Sequence, residues 1–206
     1  MKIEALTVGS LGTNCYILYD EASKEAMIVD PGGSEDKIEE KIASLDIKPK
    51  YIVLTHAHCD HIEALDYIKS QTNATVCVGS GDYDALNDSF KNLCAFFGSS
   101  SPTTKADVVL NESNTLTLGN TVFKVLETPG HTPGCISLYT DGILISGDTL
   151  FFESVGRCDF PGGSSAKLKE SIKEKLYVLP KNTLVYPGHG DATTIEHEIN
   201  NNPFIW

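Results

Sequence analysis

No hydrophobic run in this 206-residue sequence approaches the eighteen or so consecutive apolar residues that cross a bilayer, because charged or polar clusters interrupt each one. A helical membrane span is excluded. The opening Met1-Lys2-Ile3-Glu4-Ala5-Leu6 lacks the charged start, apolar stretch and small-residue cleavage site of a secretory signal, so a cytoplasmic location is expected. Basic residues are scarce, with 16 Lys and Arg against 28 Asp and Glu, a net charge of −12. Phosphate backbones and anionic membranes require a basic surface, and no Lys/Arg cluster provides one; neither nucleic acid nor membrane is an expected partner. The six cysteines, Cys15, Cys59, Cys77, Cys94, Cys135 and Cys158, have no paired short spacing, which argues against a zinc ribbon or a disulfide framework and for reduced, mostly buried thiols. Repeats, low-complexity tracts and interdomain linkers are also lacking. With 41% hydrophobic and 21% charged residues, the composition is that of one globular domain spanning residues 1–206.

The first thirty residues alternate as strands do, over Ile3 to Val8, Cys15 to Tyr19 and Ala26 to Val29, and predict an antiparallel meander. Asp30-Pro31-Gly32-Gly33 stops the third strand, and Ser34 opens a helix that carries Ile38, Ile42 and Leu45 at helical spacing. A strand over Tyr51 to Leu54, a helix from Ile62 to Lys69 and a strand over Thr75 to Val78 follow. Residues 80–105 are rich in Ser, Asp and Asn and read as a helical excursion and loop bordering a substrate cleft. Strands resume over Thr121 to Leu126, Cys135 to Thr140 and Ile143 to Ser146, the last two joined by the hairpin pair Asp141-Gly142. A helix from Ser165 to Leu176 and a strand over Thr183 to Tyr186 finish the pattern, which predicts an α/β (α+β) fold of two facing sheets with helices outside.

Chemistry concentrates in Thr55-His56-Ala57-His58-Cys59-Asp60-His61. At this chain's composition, His-x-His-x-Asp-His arises by chance about once in a few thousand such sequences. Where extended backbone leaves Leu54, side chains two apart face the same way, so His56 and His58 can converge on one metal. Asp60 and His61 fall where the chain turns into a helix, project differently, and can serve a second cation that a single tetrahedral site would not require. Further ligands are expected from strand-end loops: His131 in Gly130-His131-Thr132-Pro133-Gly134, Asp148 in Gly147-Asp148-Thr149, and His189 in Pro187-Gly188-His189-Gly190. Asp148 also fits a turn cap. Imidazoles and carboxylates suit zinc but also accept iron or manganese. His197, in Ile195-Glu196-His197-Glu198, reads as a hydrogen-bonding surface residue, and Cys59 and Cys135 as small packed side chains.

These residues, in this order, resemble the metallo-β-lactamase fold superfamily over nearly the whole chain, and its glyoxalase II-like branch through Gly147-Asp148-Thr149-Leu150-Phe151 and Gly156-Arg157-Cys158-Asp159-Phe160. The resemblance implies a four-layer αββα sandwich. It implies that His56, His58 and His131 bind one metal and Asp60, His61 and His189 the other, with Asp148 bridging. It places Asp30 behind the ligands and Arg157 at a substrate contact, although a salt bridge suits Arg157 equally. Seventeen residues follow His189, which resembles the short single-domain form without the helical C-terminal region that supplies glutathione contacts in glyoxalase II.

The activity so implied is thioester hydrolysis of the hydroxyacylglutathione hydrolase type, with two divalent cations, zinc first among them, and a bridging hydroxide that Asp60 orients or deprotonates. A thiolate leaves without a dedicated acid, which favours a small-molecule thioester or activated ester over an amide. The alternatives are a mononuclear iron persulfide dioxygenase of the same fold, a lactonase or β-lactamase-like enzyme, a phosphodiester hydrolase, and a protein whose metals only support folding.

Overall fold

The computed structural model describes residues 1–205. β1 (Lys2–Val8), β2 (Thr13–Tyr19) and β3 (Glu25–Val29) pair antiparallel, as the meander requires. β4 (Lys48–Leu54), β5 (Thr75–Gly79) and β6 (Val108–Leu110) add in parallel and complete a six-stranded sheet in sequential order. The second sheet uses β7 (Thr115–Leu118), β8 (Thr121–Glu127), β9 (Ile136–Thr140) and β10 (Ile143–Gly147). A ribbon of β11 (Leu150–Phe151) and β12 (Ser154–Val155) intervenes before β13 (Leu184–Pro187) and β14 (Thr193–Thr194) close that sheet in the order β14-β13-β10-β9-β8-β7.

Alternation along the strands builds the layers, because successive side chains face opposite sides of a sheet. On β2, Cys15 and Ile17 enter one core while Tyr16 and Leu18 enter another; on β3, Ala26 and Ile28 part from Met27 and Val29 in the same way. The first core lies beneath α1 (Glu35–Leu45), α2 (Cys59–Ile62) and α3 (Leu65–Thr72), which contribute Ile38, Ile62, Leu65 and Ile68. The second lies between the sheets, where Met27 and Val53 face Phe123 and Leu138. Beyond the second sheet, Leu144 and Val185 meet Leu168 of α5 (Ser165–Ser171), the following wide turn at Ile172–Leu176, and Ile195 of α6 (Ile195–Asn201). Each fully buried aliphatic or aromatic side chain contributes about 1.5–3 kcal/mol before conformational entropy is counted. Three cores require four layers, and the αββα sandwich is the result. Among the described residues, no helix is long and apolar enough to cross a membrane.

Departures from the expected pattern have local causes. The helix expected over 62–69 is split, since Ala64 N–H donates to the Pro31 carbonyl at 2.9 Å and a new helix starts at Leu65. Residues 80–105 hold less helix than expected: one 3₁₀ turn at Ser80–Asp82 and α4 (Cys94–Phe97), with turns between. β6, β11, β12 and β14 span two or three residues each, too few for alternation to register. All six cysteines are free thiols, five of them buried.

Candidate metal centre

Parallel strands deliver their C-terminal ends to one edge of a sheet, where loops on a rigid scaffold can hold polar side chains. β3 and β4 run parallel and end at Asp30 and at the His56–His61 loop; β10 and β13 run parallel and end at Asp148 and at His189. His131 follows β8 in the same sheet. All seven expected ligands therefore meet at one edge of the sandwich.

They fall into three overlapping groups whose ligand atoms lie within 4.8 Å of one another: His56, His58 and His131; His56, His61 and Asp148; and Asp60, His61 and His189. Within the first, His58 Nδ1 and His131 Nε2 are 2.8 Å apart. Within the last, His189 Nε2 and Asp60 Oδ2 are 3.1 Å apart. Asp148 spans the two sides, with Oδ1 3.5 Å from His61 Nε2 and Oδ2 3.5 Å from His131 Nε2.

Partners behind the imidazoles select the nitrogen that faces inward. His131 Nδ1–H donates to the Arg157 carbonyl at 2.7 Å, which leaves Nε2 as the lone-pair atom. His61 Nδ1 pairs with Asp30 Oδ2 at 2.9 Å, and His56 Nδ1 with Thr55 Oγ1 at 3.1 Å. Asp30, whose backbone is left-handed at φ 53°, also accepts from Thr55 N–H at 2.7 Å and Thr55 Oγ1 at 2.6 Å. It thus lies behind the ligands, touching His61 but not the cavity. Asp60 Oδ2 accepts from Thr13 Oγ1 at 3.0 Å.

Among the described residues, the buried side-chain atoms without a hydrogen-bond partner are Thr183 Oγ1 and four atoms of this cluster, His56 Nε2, His58 Nε2, His61 Nε2 and Asp148 Oδ1. Buried polar atoms are normally paired, and orphans gathered at one place mark a missing partner. Neutral imidazoles beside carboxylates are a donor set that fits divalent cations. In the metal-free protein, burial, followed by the neighbouring imidazoles, pushes His56 well below the usual histidine range and His58 down to about 3. Burial acts the same way on His61, but the carboxylates of Asp148, Asp60 and Asp30 outweigh it and raise this group to about 10. Burial alone would raise Asp60; His61, His189 and Thr13 instead hold it well below the carboxylate range.

Several residues that support the site carry no motif. Asn14, the second residue of β2, donates from Nδ2 to the Pro187 and Gly190 carbonyls at 3.1 and 2.9 Å, while its N–H donates to the Gly188 carbonyl at 2.7 Å. The first sheet thereby holds the His189 loop of the second. Asp82 accepts from Ala57 N–H, Thr132 Oγ1 and Gly134 N–H at 2.8–2.9 Å, tying the loop that carries His56 and His58 to the one that carries His131. Its signal in the sequence was a carboxylate just after the buried β5, the strand-end position of the other site residues. His197, by contrast, lies away from the cluster, with Nε2 2.9 Å from Glu153 Oε1 at the surface, as expected. Cys59 and Cys94 pack in the first core, and Cys135 is buried beside Thr132.

The cluster forms one wall of a cavity of about 360 Å³, also lined by Leu11, Leu93, Phe97, Phe151, Arg157 and Phe160. Arg157 forms a bidentate pair with Asp159 at 2.9 and 2.7 Å and lies over the Phe160 ring, 4.3 Å from its centroid.

Known proteins are similar to this chain along its whole length. A chain named hydroxyacylglutathione hydrolase GloC, from Haemophilus influenzae, is 35% identical, with 100% of this chain and 98% of that one covered. The crystal structure of the BLEG-1 B3 metallo-beta-lactamase superposes with a TM-score of 0.94 at 36% identity over 99% of each chain. That of TTHA1623 in a di-iron-bound form gives 0.87 at 33% identity, covering 98% of this chain and 100% of that one. The di-iron relative and the two-sided cluster together support a dinuclear metal site. The profile of the metallo-beta-lactamase superfamily matches residues 8–189, and the chain belongs to that superfamily.

Proposed function

We propose that this chain is a thioester hydrolase that works with two divalent cations, in the manner of hydroxyacylglutathione hydrolysis. The observation that carries the reading is the two-sided ligand cluster opening onto a cavity. His56, His58 and His131 would hold one cation and Asp60, His61 and His189 the other, with the Asp148 carboxylate between them, within 3.7 Å of His61, His131 and His189. When bound, the pair would lower the pKa of water towards neutrality and act as a Lewis acid on an acyl oxygen.

The chain's own residues do the rest. Asp60, fixed by Thr13 Oγ1, presents a carboxylate at the cavity wall that orients the attacking water or takes its proton. Asp30, Thr55 and the Arg157 carbonyl keep the imidazole rings turned, so little reorganisation accompanies reaction. Among the described residues, no lysine or tyrosine lines the cavity to protonate a leaving amine. A thiolate, from a thiol of pKa about 8.5, departs without one, and this favours a thioester over an amide. The net charge of −12 supports a small-molecule substrate rather than nucleic acid, and we place the enzyme in the cytoplasm, with zinc as the first candidate metal.

The test is metal content per chain after loading with zinc, iron or manganese, followed by hydrolysis of S-lactoylglutathione and of a simpler thioester by the same preparation. Two metals and thioester turnover that His61→Ala and Asp148→Ala each abolish are expected. One iron per chain with oxygen uptake on glutathione persulfide would replace this reading by a persulfide dioxygenase.

A further inference from the structure

The part of the cavity lining that carries no ligand is mostly apolar and built in place. Leu11, at the β1–β2 turn, and Phe97, at the end of α4, are 48% and 52% exposed, and both line the cavity together with Leu93, Phe151 and Phe160. Exposed side chains of this size usually serve contact rather than packing when they adjoin a site. The segment bearing Leu93 and Phe97 is anchored to the ligand loop itself: the Asn92 carbonyl accepts Cys59 N–H at 2.8 Å. The buried Asn92 side chain donates to the Leu86 carbonyl at 3.0 Å and to Ser101 Oγ at 2.8 Å, and accepts Cys94 N–H at 3.0 Å. Those bonds flank Leu93, whose backbone is left-handed at φ 68°, a conformation that non-glycine residues rarely adopt.

Charge at the cavity runs the other way. Among the described residues, Arg157 is the one lysine or arginine lining it, and both Nε and Nη2 are taken by Asp159. The guanidinium face covers Phe160, whose ring stands edge-to-face with His58 at 5.6 Å between centroids. Arg157 therefore braces an aromatic wall, with Nε and Nη2 held by Asp159 at the surface. Glutathione carries two carboxylates and one ammonium, and apart from the metal ligands the one cationic side chain lining this cavity, Arg157, is already paired with Asp159.

Resting on the thioesterase reading above, we propose that the site selects thioesters with an apolar acyl chain on a small uncharged thiol, and that Phe97, Leu11 and the Arg157-braced Phe160 are its specificity-determining residues. Apolar contact is worth up to about fourfold per buried methylene. The half-exposed wall should capture part of that.

The experiment measures kcat/KM of the metal-loaded enzyme on N-acetylcysteamine thioesters from acetyl to octanoyl, and on S-lactoylglutathione against S-lactoyl-N-acetylcysteamine. We expect a rise of about twofold per methylene over the first several carbons, a preference of at least about tenfold for the N-acetylcysteamine thioester over its glutathione counterpart, and a flattened chain-length slope in Phe97→Ser. A flat slope in the parent enzyme, a slope unchanged in Phe97→Ser, or a preference for S-lactoylglutathione would overturn the proposal. Absence of turnover on every thioester by a protein holding two metals would sink the thioesterase reading instead. The wall is then judged by binding alone, with hexyl methyl sulfide and S-methylglutathione titrated against the protein and followed by NMR shifts of the aromatic rings. Tighter binding of the sulfide, by about tenfold or more, supports the apolar wall, and tighter binding of S-methylglutathione refutes it.

Discussion

His61 Nδ1 lies 2.9 Å from Asp30 Oδ2, and both side chains are closed off from solvent. A carboxylate in that position keeps the proton on Nδ1, turns Nε2 toward Asp60 and Asp148, and makes that nitrogen a better donor to a cation. Asp30→Asn keeps the shape and removes the charge. We expect affinity for one of the two cations to fall about 10–100-fold while the other, held by His56, His58 and His131, is retained. Competition with a fluorescent chelator resolves the two events, and two unchanged affinities would show that Asp30 serves only the turn.

The metal-free protein should have a narrow pH optimum of stability. His61 is raised to about 10 from an ordinary 6.5, so its contribution is complete below pH 6.5 and is lost as pH rises through 10. His56 and His58 are held low by burial, so the unfolded chain takes up their protons first and stability is lost as pH falls below 6.5. Thermal midpoints of chelator-treated protein should therefore be highest near pH 6.5–7 and several degrees lower at both pH 5 and pH 10. Metal loading should abolish the alkaline limb, since His61 then gives up its proton, and keep the acid limb, where protons compete for the same nitrogens. Identical alkaline limbs with and without metal would refute the assignment of His61.

Legibility followed the physics of each residue's signal. The clustering of these side chains could be read because histidine is rare and its spacing at a strand end has one geometric consequence, convergence. Two facing sheets with helices outside could be read from the strand and helix pattern, and the four layers came from the family resemblance; on β2, Cys15/Ile17 and Tyr16/Leu18 serve two different cores. What supports the site was less visible. Asn14 acts on backbone groups more than a hundred residues away and Asp82 on backbone groups 25 and 52 residues away, and nothing local marks an Asn at the start of a strand as a clamp on a distant loop. The wall bearing Phe97 lies in the segment with the least periodicity, where its cause is Asn92 hydrogen bonding rather than pattern.

Asp82 gives a separable test of that hidden support. Burial raises its carboxyl group above the ordinary value, and the three donors from Ala57, Thr132 and Gly134 oppose the shift. Asp82→Ala strands two buried backbone N–H groups, each costing about 1–3 kcal/mol if it finds no water, while the Thr132 hydroxyl keeps Cys135 Sγ at 3.0 Å. We expect a loss of about 2–4 kcal/mol in urea unfolding, with turnover falling more steeply than metal content, because the His58 and His131 loops lose their common tie. Asp82→Asn, which can still accept two of these bonds, should recover much of the stability. Equal damage from both variants would mean that charge, not hydrogen bonding, is what the position requires.

Gly188 tests how tightly the two sheets must approach. A Cβ there would overlap Asp148 Oδ1 and stand 2.9 Å from His61 Cε1. The backbone cannot move aside easily, because Gly188 N–H donates to the Gly147 carbonyl at 2.9 Å and its own carbonyl accepts Asn14 N–H at 2.7 Å. Gly188→Ala must therefore displace the Asp148 carboxylate that faces both sides of the cluster. A shift of about 1 Å in a group of this kind costs about a hundredfold in rate, so turnover should fall by that order and one metal per chain should be lost. Gly190→Ala, two residues on, is the comparison: it meets nothing within 4 Å but sits at φ +75°. Its cost is backbone strain of about 1 kcal/mol, seen in the thermal midpoint while both metals remain. If the two variants lost metal alike, loop strain rather than contact with Asp148 would be the cause.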